Sequence, residues 1–230
     1  MPNWCSSDLA ITGSSFAINS LLDRFEIEED SQAKIFSFEK IHPTPPSLSI
    51  DNAYNAEIIA KLIKKLNKDS DIIKFLGSDS VLTDEVKSIL NNSVYEDYFN
   101  AYVINHINSD SLDLVKIAKD LIILIKNYEF YGHFTWYEWR LANWGTKWNC
   151  DGSVIEVVKM KNNKLKIIVG LETAWSPPIA LLVKLSEQFP TLEIRISYYE
   201  GGACYKGKTY IKEGTILSQK QSGYRGSRGG

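Results

Sequence analysis

The two ends of the chain carry strand-and-helix patterns, and a long stretch with helical spacing separates them. In the opening part, DLAITG alternates with Leu9 and Ile11 on one face, and two serines then precede an apolar run with near-helical spacing. The alternation of AKIFSFEKI places Phe36 and Phe38 on one face of a further strand, which HPTPP ends. Strand, helix and strand predict the first half of a split β-α-β unit.

Residues 51–145 have a different character, because apolar residues recur there at helical spacing with almost no glycine or proline before residue 132. The segments with this spacing are NAEIIAKLIKKLNK, TDEVKSILNN, SVYEDYFNAYVINHI and SLDLVKIAKDLIILIKNY. They predict about four helices, and we interpret 51–145 as an all-helical insertion.

Strand patterns return after the insertion. SVIEVVKM and KLKIIVGLETAW are joined by KNNK, which favours a hairpin, and PPIALLVKLSEQF predicts a helix. LEIRISYYEGG and CYKGKTYI add two strands around a Gly-Gly turn. The predicted fold is α+β: residues 1–50 together with 146–217 form a ferredoxin-like antiparallel sheet with helices on one face, interrupted by the insertion. Residues 218–230 are predicted to be a disordered tail.

Charge and cysteine content narrow the function classes. The net charge is −2, but residues 151–230 contain twelve basic and seven acidic residues, so the basic C-terminal third is the expected side for an anionic partner. Three widely spaced cysteines indicate neither a disulfide framework nor a zinc site, and we predict no metal and no cofactor. With no signal-peptide pattern and no long apolar run, we expect a cytoplasmic protein with no membrane partner.

Four of the six tryptophans lie within Trp136–Trp148, in the segment TWYEWRLANWGTKWNC. The spacing predicts a helix that ends at Gly145, which suits the left-handed position after a helix. One interpretation is that the rings fasten the insertion to the sheet. The other is a binding site in which polar donors beside aromatic rings stack on a base or hold an anion. A pairing of Arg140 with Glu172 or Glu200 would make the group structural. The candidate binding residues are Trp136, Arg140, Asn143, Trp144, Lys147, Trp148, Asn149, Trp175, Tyr199 and Glu200.

Several short motifs occur together in a fixed order: MPNWC, NWGTKWN, TAWSPP, FP and YYEGG. In these motifs the chain resembles the YubB-like family of uncharacterised bacteriophage and plasmid proteins, over residues 1–15 and about 135–217. The resemblance implies a C-terminal ferredoxin-like part, a mobile-element origin and a bacterial cytoplasm, and it carries no activity or cofactor. The recurrent residues are Pro2, Asn3, Trp4, Cys5, Trp144, Gly145, Lys147, Trp148, Asn149, Trp175, Ser176, Pro177, Pro178, Glu200 and Gly201.

No phosphate-binding, nucleophile-elbow, zinc-protease or dinucleotide-binding motif is present in the sequence, so no catalytic residue is predicted. The first hypothesis is therefore a non-enzymatic phage or plasmid protein that binds a host protein, with a role against host defence. The alternative is a nucleic-acid or nucleotide binder that uses the Trp/Arg/Lys surface and the basic C-terminal third; Tyr198 and Tyr199 lie on a predicted strand, although KIIVGLE does not resemble an RNP1 motif. The third is a small-molecule enzyme built around Pro2, Cys5 or a histidine.

Overall fold

The computed structural model describes residues 3–27, 33–49, 123, 126–150 and 153–224. The chain divides into two compact units, residues 1–44 with 137–230, and residues 45–136. The insertion was predicted over 51–145, so the second unit begins earlier and ends earlier than that prediction. Most of the tryptophan-rich segment therefore belongs to the unit that contains the sheet.

The first unit is built on an antiparallel sheet with strand order β2-β3-β1-β4-β5-β6. The strands are β1 (Trp4–Ser14), β2 (Glu156–Lys159), β3 (Lys164–Ala174), β4 (Glu193–Glu200), β5 (Tyr205–Lys212) and β6 (Thr215–Gly223). β1 is central and pairs along its full length with β3, from Trp4 opposite Ala174 to Ser14 opposite Lys164. The mixed α+β class and the antiparallel ferredoxin-like sheet are confirmed.

The α-helices whose bounds are fully described are α1 (Ser15–Leu22), α2 (Trp136–Asn143) and α3 (Ile179–Gln188). The side chain of Ser14 caps α1 by accepting a hydrogen bond from the backbone N–H of Ala17 at 3.2 Å. α1 and α3 bury their apolar faces against alternate side chains of the sheet, including Leu9, Ile11, Ile167, Val169, Ile194 and Ile196. α1 and α3 thus cover one face of the sheet, and the other set of alternating side chains points to the opposite face, called here the open face.

The order β4-β1-β3-β2 within the sheet is that of a β-α-β-β-α-β unit, widened by β5 and β6 beyond β4. The second strand of the unit is β2, which lies after the insertion. The prediction that AKIFSFEKI supplies that strand is wrong. This segment forms isolated bridges, Ile27 to Lys34 and Ile35 to Val154, followed by a 3-10 turn at Phe38–Lys40. The alternating apolar residues of this segment pack in the core instead, because Phe36 and Phe38 are fully buried among other rings.

The predicted disordered tail also needs correction, because residues 218–223 belong to β6. Glu213 and Gly214, both with positive φ, turn the chain back from β5, and β6 then pairs with β5 up to Gly223 opposite Tyr205. Backbone pairing stabilises this strand, since every side chain in it is exposed. Tyr224 follows and is buried, and residues 225–230 lie outside the described residues.

In the second unit, residues 126–131 are helical, and the side chain of Asn127 donates hydrogen bonds to the carbonyl oxygens of Ser47 (2.9 Å) and Phe134 (3.1 Å). Apart from 123 and 126–131, the residues on which the insertion helices were predicted lie outside the described part of the chain. Within the described residues, no helix combines the length and apolar character needed to span a membrane.

Candidate functional site

Two of the clustered tryptophans lie in a buried row of aromatic rings. Trp144 is 0% exposed and meets Phe38 edge to face at 5.6 Å and Trp139 at 6.2 Å between ring centroids. The row continues from Phe38 to Phe36 (6.2 Å) and from Phe36 to Phe25 (5.0 Å). The Trp144 indole N–H donates to the carbonyl of His42 at 2.8 Å, which satisfies its polar atom. Trp139 and Trp144 are therefore part of the hydrophobic core.

The end of α2 is held against α3. Gly145 has a φ of +84° and ends the helix as predicted. A Cβ at this position would lie 3.2 Å from the Pro177 carbonyl oxygen and 3.3 Å from the Ile179 nitrogen, so a side chain here would be tightly packed as well as strained in its backbone. The hydroxyl of Thr146 donates to the carbonyl of Ala174 at 2.8 Å. These contacts fix the tryptophan-rich segment to the end of β3.

Arg140 has structural partners, although not the ones considered from the sequence. Its guanidinium contacts the Glu39 carboxylate at 2.8 Å, donates to the Thr44 hydroxyl at 2.9 Å and lies 4.5 Å above the Trp144 ring. The partner is therefore Glu39 rather than Glu172 or Glu200. The ion pair is partly buried and closes the segment around residues 39–44 onto α2.

Three further candidates make local structural contacts. Asn143 donates to the carbonyl of Trp139 at 2.9 Å. The Asn149 side chain accepts from the Phe38 backbone N–H at 2.8 Å and donates to the Ser37 hydroxyl at 3.1 Å. Glu200 is buried, and its carboxylate accepts from the backbone N–H groups of Gly202 and Ala203 in the turn after β4. Trp136, the first residue of α2, belongs to the second unit and is half-buried.

The remaining tryptophans are exposed near one end of the sheet. Trp148 is 37% exposed and lies 6.0 Å from Trp4, which is 48% exposed, and the Lys147 ammonium group sits 3.9 Å from the Trp148 ring centre. Trp175 is 50% exposed and adopts a φ of +71°, and its carbonyl accepts a hydrogen bond from the Tyr205 hydroxyl at 2.7 Å. Half-exposed indoles of this kind are suited to contact a partner.

A cavity with a volume of about 1230 Å³ lies on the open face of the sheet. It extends from Ser6 and Asp8 on β1 across Tyr199 on β4 to the lysines of β5 and β6. Tyr199 is half-buried and its ring centre is 5.4 Å from that of Tyr224. A smaller depression beside it, lined by Trp4, Ser6, Tyr199 and Tyr224 among others, connects this surface to the exposed tryptophans.

The basic side of the open face consists of Lys206, Lys208 and Lys220. Lys208 and Lys220 are directly opposite each other on β5 and β6. Within the described part of the chain, none of these three lysines has a salt-bridge partner, and Lys206 has a ring contact with Tyr224 at 5.8 Å. Like charges directly opposed on neighbouring strands destabilise a sheet, so this arrangement favours a bound anion.

The buried cysteines are poorly suited to act as nucleophiles. Burial raises the pKa of the Cys5 thiol above its usual range, and burial likewise raises the pKa of the Tyr205 phenol. A thiol with a raised pKa is protonated at neutral pH and is a poor nucleophile. Cys150 is also buried, and Pro2 lies outside the described residues. No cluster of three or more metal-ligating side chains occurs in the described residues.

The sequence indicated only some of the residues on the open face and around the exposed tryptophans. Tyr199, Lys147, Trp148 and Trp175 were candidates, whereas Asp8, Lys206, Lys208, Lys220 and Tyr224 were missed. The alternation in CYKGKTYI would have placed Lys206 and Lys208 on one face of a strand. Lys220 and Tyr224 were hidden because their segment was predicted to be a tail.

The topology and the concave open face define a ferredoxin-like domain whose sheet is widened by two strands. Comparison with protein families agrees: residues 144–225, from the end of α2 through β6, match the family model described as the ferredoxin-like domain in Api92-like protein. The C-terminal part of the chain is thus similar to the ferredoxin-like domain of Api92-like proteins.

Among solved structures, the crystal structure of the protein Api92 from Yersinia pseudotuberculosis matches with 17% sequence identity and a TM-score of 0.43, covering 99% of this chain and 100% of that one. None of the curated proteins matches the chain.

Proposed function

We propose that this chain is a non-enzymatic binding protein of a phage or plasmid, of the YubB-like kind, that acts in the bacterial cytoplasm and binds single-stranded nucleic acid on the open face of its sheet. The motifs MPNWC, NWGTKWN, TAWSPP and YYEGG support the mobile-element origin. The ligand class rests on the chemistry of the open face.

The observation that most supports a nucleic-acid ligand is that Lys208 and Lys220 lie directly opposite each other on β5 and β6. Together with Lys206 it places three positive charges along one side of the cavity, where they would contact successive phosphates. Because these charges have no acidic partner among the described residues, an anionic polymer gains their full attraction without first breaking salt bridges.

The aromatic side chains favour a single strand over a duplex. Tyr199 lies in the cavity between the lysines and β1, and Trp4 lies in the adjoining depression. Stacking on such rings requires bases that are free of a double helix. The surface therefore combines stacking positions with a basic track, as single-strand binders do.

Tyr199→Leu is expected to weaken binding of a single-stranded oligonucleotide by about 1–3 kcal/mol, because one base loses its stacking partner. Fluorescence anisotropy with labelled RNA and DNA single strands measures this loss. Phe16→Leu is the matched control, since Phe16 is an exposed ring on α1 and not on the open face. Equal affinities for wild type and Tyr199→Leu would show that bases do not stack there.

A host protein is the second candidate partner, and the exposed rings of Trp4, Trp148 and Trp175 favour it. The salt dependence of binding separates the two candidates. Binding to a nucleic acid through several lysines weakens steeply as salt rises, whereas a contact made by indole rings is much less sensitive.

A further inference from the structure

The open face also carries two carboxylates, which a surface for a polyanion does not need. Asp8 on β1 and Glu172 on β3 are exposed and line the same cavity as Tyr199. Neither forms a salt bridge within the described residues. They lie across the cavity from the lysines of β5 and β6, because β4 separates β1 from β5 in the sheet.

The surface of the sheet beside these carboxylates is open at Gly170. Ser6 is opposite Glu172 in the β1–β3 pairing, and its hydroxyl donates to the carboxylate at 2.6 Å. Asp8 is opposite Gly170, and a Cβ built at Gly170 would meet no atom within 4 Å. Glu172 is therefore oriented by a neighbour, and the space beside it, across from Asp8, is open.

Building on the proposed function, we infer that Asp8 and Glu172 select guanine in a strand whose phosphates lie along Lys206, Lys208 and Lys220. An ionised carboxylate only accepts hydrogen bonds. Guanine presents two adjacent donors, N1–H and the N2 amino group, which match the two oxygens of one carboxylate. Uracil presents a single N–H between two carbonyl oxygens, and a carboxylate repels those oxygens. Adenine and cytosine each present a single amino group on that edge.

The test uses the full chain and uracil oligoribonucleotides that differ at one central position. The centre is uracil, adenine, guanine or inosine, which is guanine without its N2 amino group. We expect the guanine oligonucleotide to bind about tenfold more tightly than the uracil one, with adenine and inosine in between. In Glu172→Gln and Asp8→Asn, the guanine preference should fall toward one, because an amide nitrogen would face the donors of the base.

Glu187→Gln is the charge-matched control, since Glu187 lies on α3, and it should keep the guanine preference. Equal binding of all four oligonucleotides by the wild type would overturn the guanine inference and leave the proposed function standing. Tighter binding of every oligonucleotide by the amide variants, with no change in base preference, would also overturn it, because the carboxylates would then only repel phosphate. If no oligonucleotide binds, both the inference and the proposed function are wrong.

Discussion

Trp144→Ala is expected to lower the free energy of unfolding by about 3–5 kcal/mol, the range for removing a large ring from a packed core. Trp144 is fully buried, packs against Phe38 and Trp139, and carries a hydrogen bond to the His42 carbonyl. Its loss leaves a cavity between α2 and the segment around Phe38, and it leaves the His42 carbonyl without this donor. Urea denaturation followed by circular dichroism measures the change.

Trp148→Ala is the matched control for this prediction, because Trp148 comes from the same segment but is partly exposed. Its removal gives up a tilted contact with Trp4 and a contact with Lys147, which we expect to cost no more than about 1.5 kcal/mol. If both variants lost the same stability, the division of the tryptophans into core and surface rings would be wrong.

The second large effect is expected when Lys206, Lys208 and Lys220 are all replaced by glutamine. Three phosphate contacts on a single strand contribute a slope of about −2 to a plot of log affinity against log salt. The triple variant should therefore bind single strands far more weakly at low salt and with a slope that is less steep by about that amount. Anisotropy titrations at several salt concentrations measure both quantities.

A control with the same charge change replaces Lys159, Lys161 and Lys184 by glutamine. These lysines lie on β2, in the β2–β3 turn and on α3, away from the open face. This control should keep most of the salt slope. The open-face variant should also be no less stable than wild type without ligand, because it removes the opposed pair Lys208 and Lys220. If both triple variants weakened binding equally, the effect would be one of net charge and not of this surface.

Local signals in the sequence were sufficient for several elements. The serine before α1 caps the helix, Gly145 ends α2 in the left-handed region, and Asn162 and Asn163 turn the β2–β3 hairpin with positive φ. Each of these depends on residues close in sequence. The segment around Phe36 was mistaken for a strand because burial of alternate residues against other rings produces the same period as a sheet. β6 was missed for the opposite reason, since a strand with no buried side chain shows no apolar alternation.

The contacts of the candidate site residues could not be predicted from local sequence either. Arg140 and Asn149 have the donors of a binding residue, but their partners, Glu39 and Ser37, lie 101 and 112 positions away. Only the fold reveals that those donors are already used. Lys208 and Lys220 come together through the pairing of β5 with β6, and neither residue type alone indicates that pairing.

Ultraviolet crosslinking of a single-stranded RNA to the full chain, with the crosslinked peptides identified by mass spectrometry, tests the central claim most directly. We expect crosslinks on the peptides that contain Trp4, Tyr199 and Lys206–Tyr210, because those side chains line the open face and its adjoining depression. Crosslinks found only on peptides of α1 and α3, which pack on the other face of the sheet, would contradict a nucleic-acid surface on the open face, as would a complete absence of crosslinks.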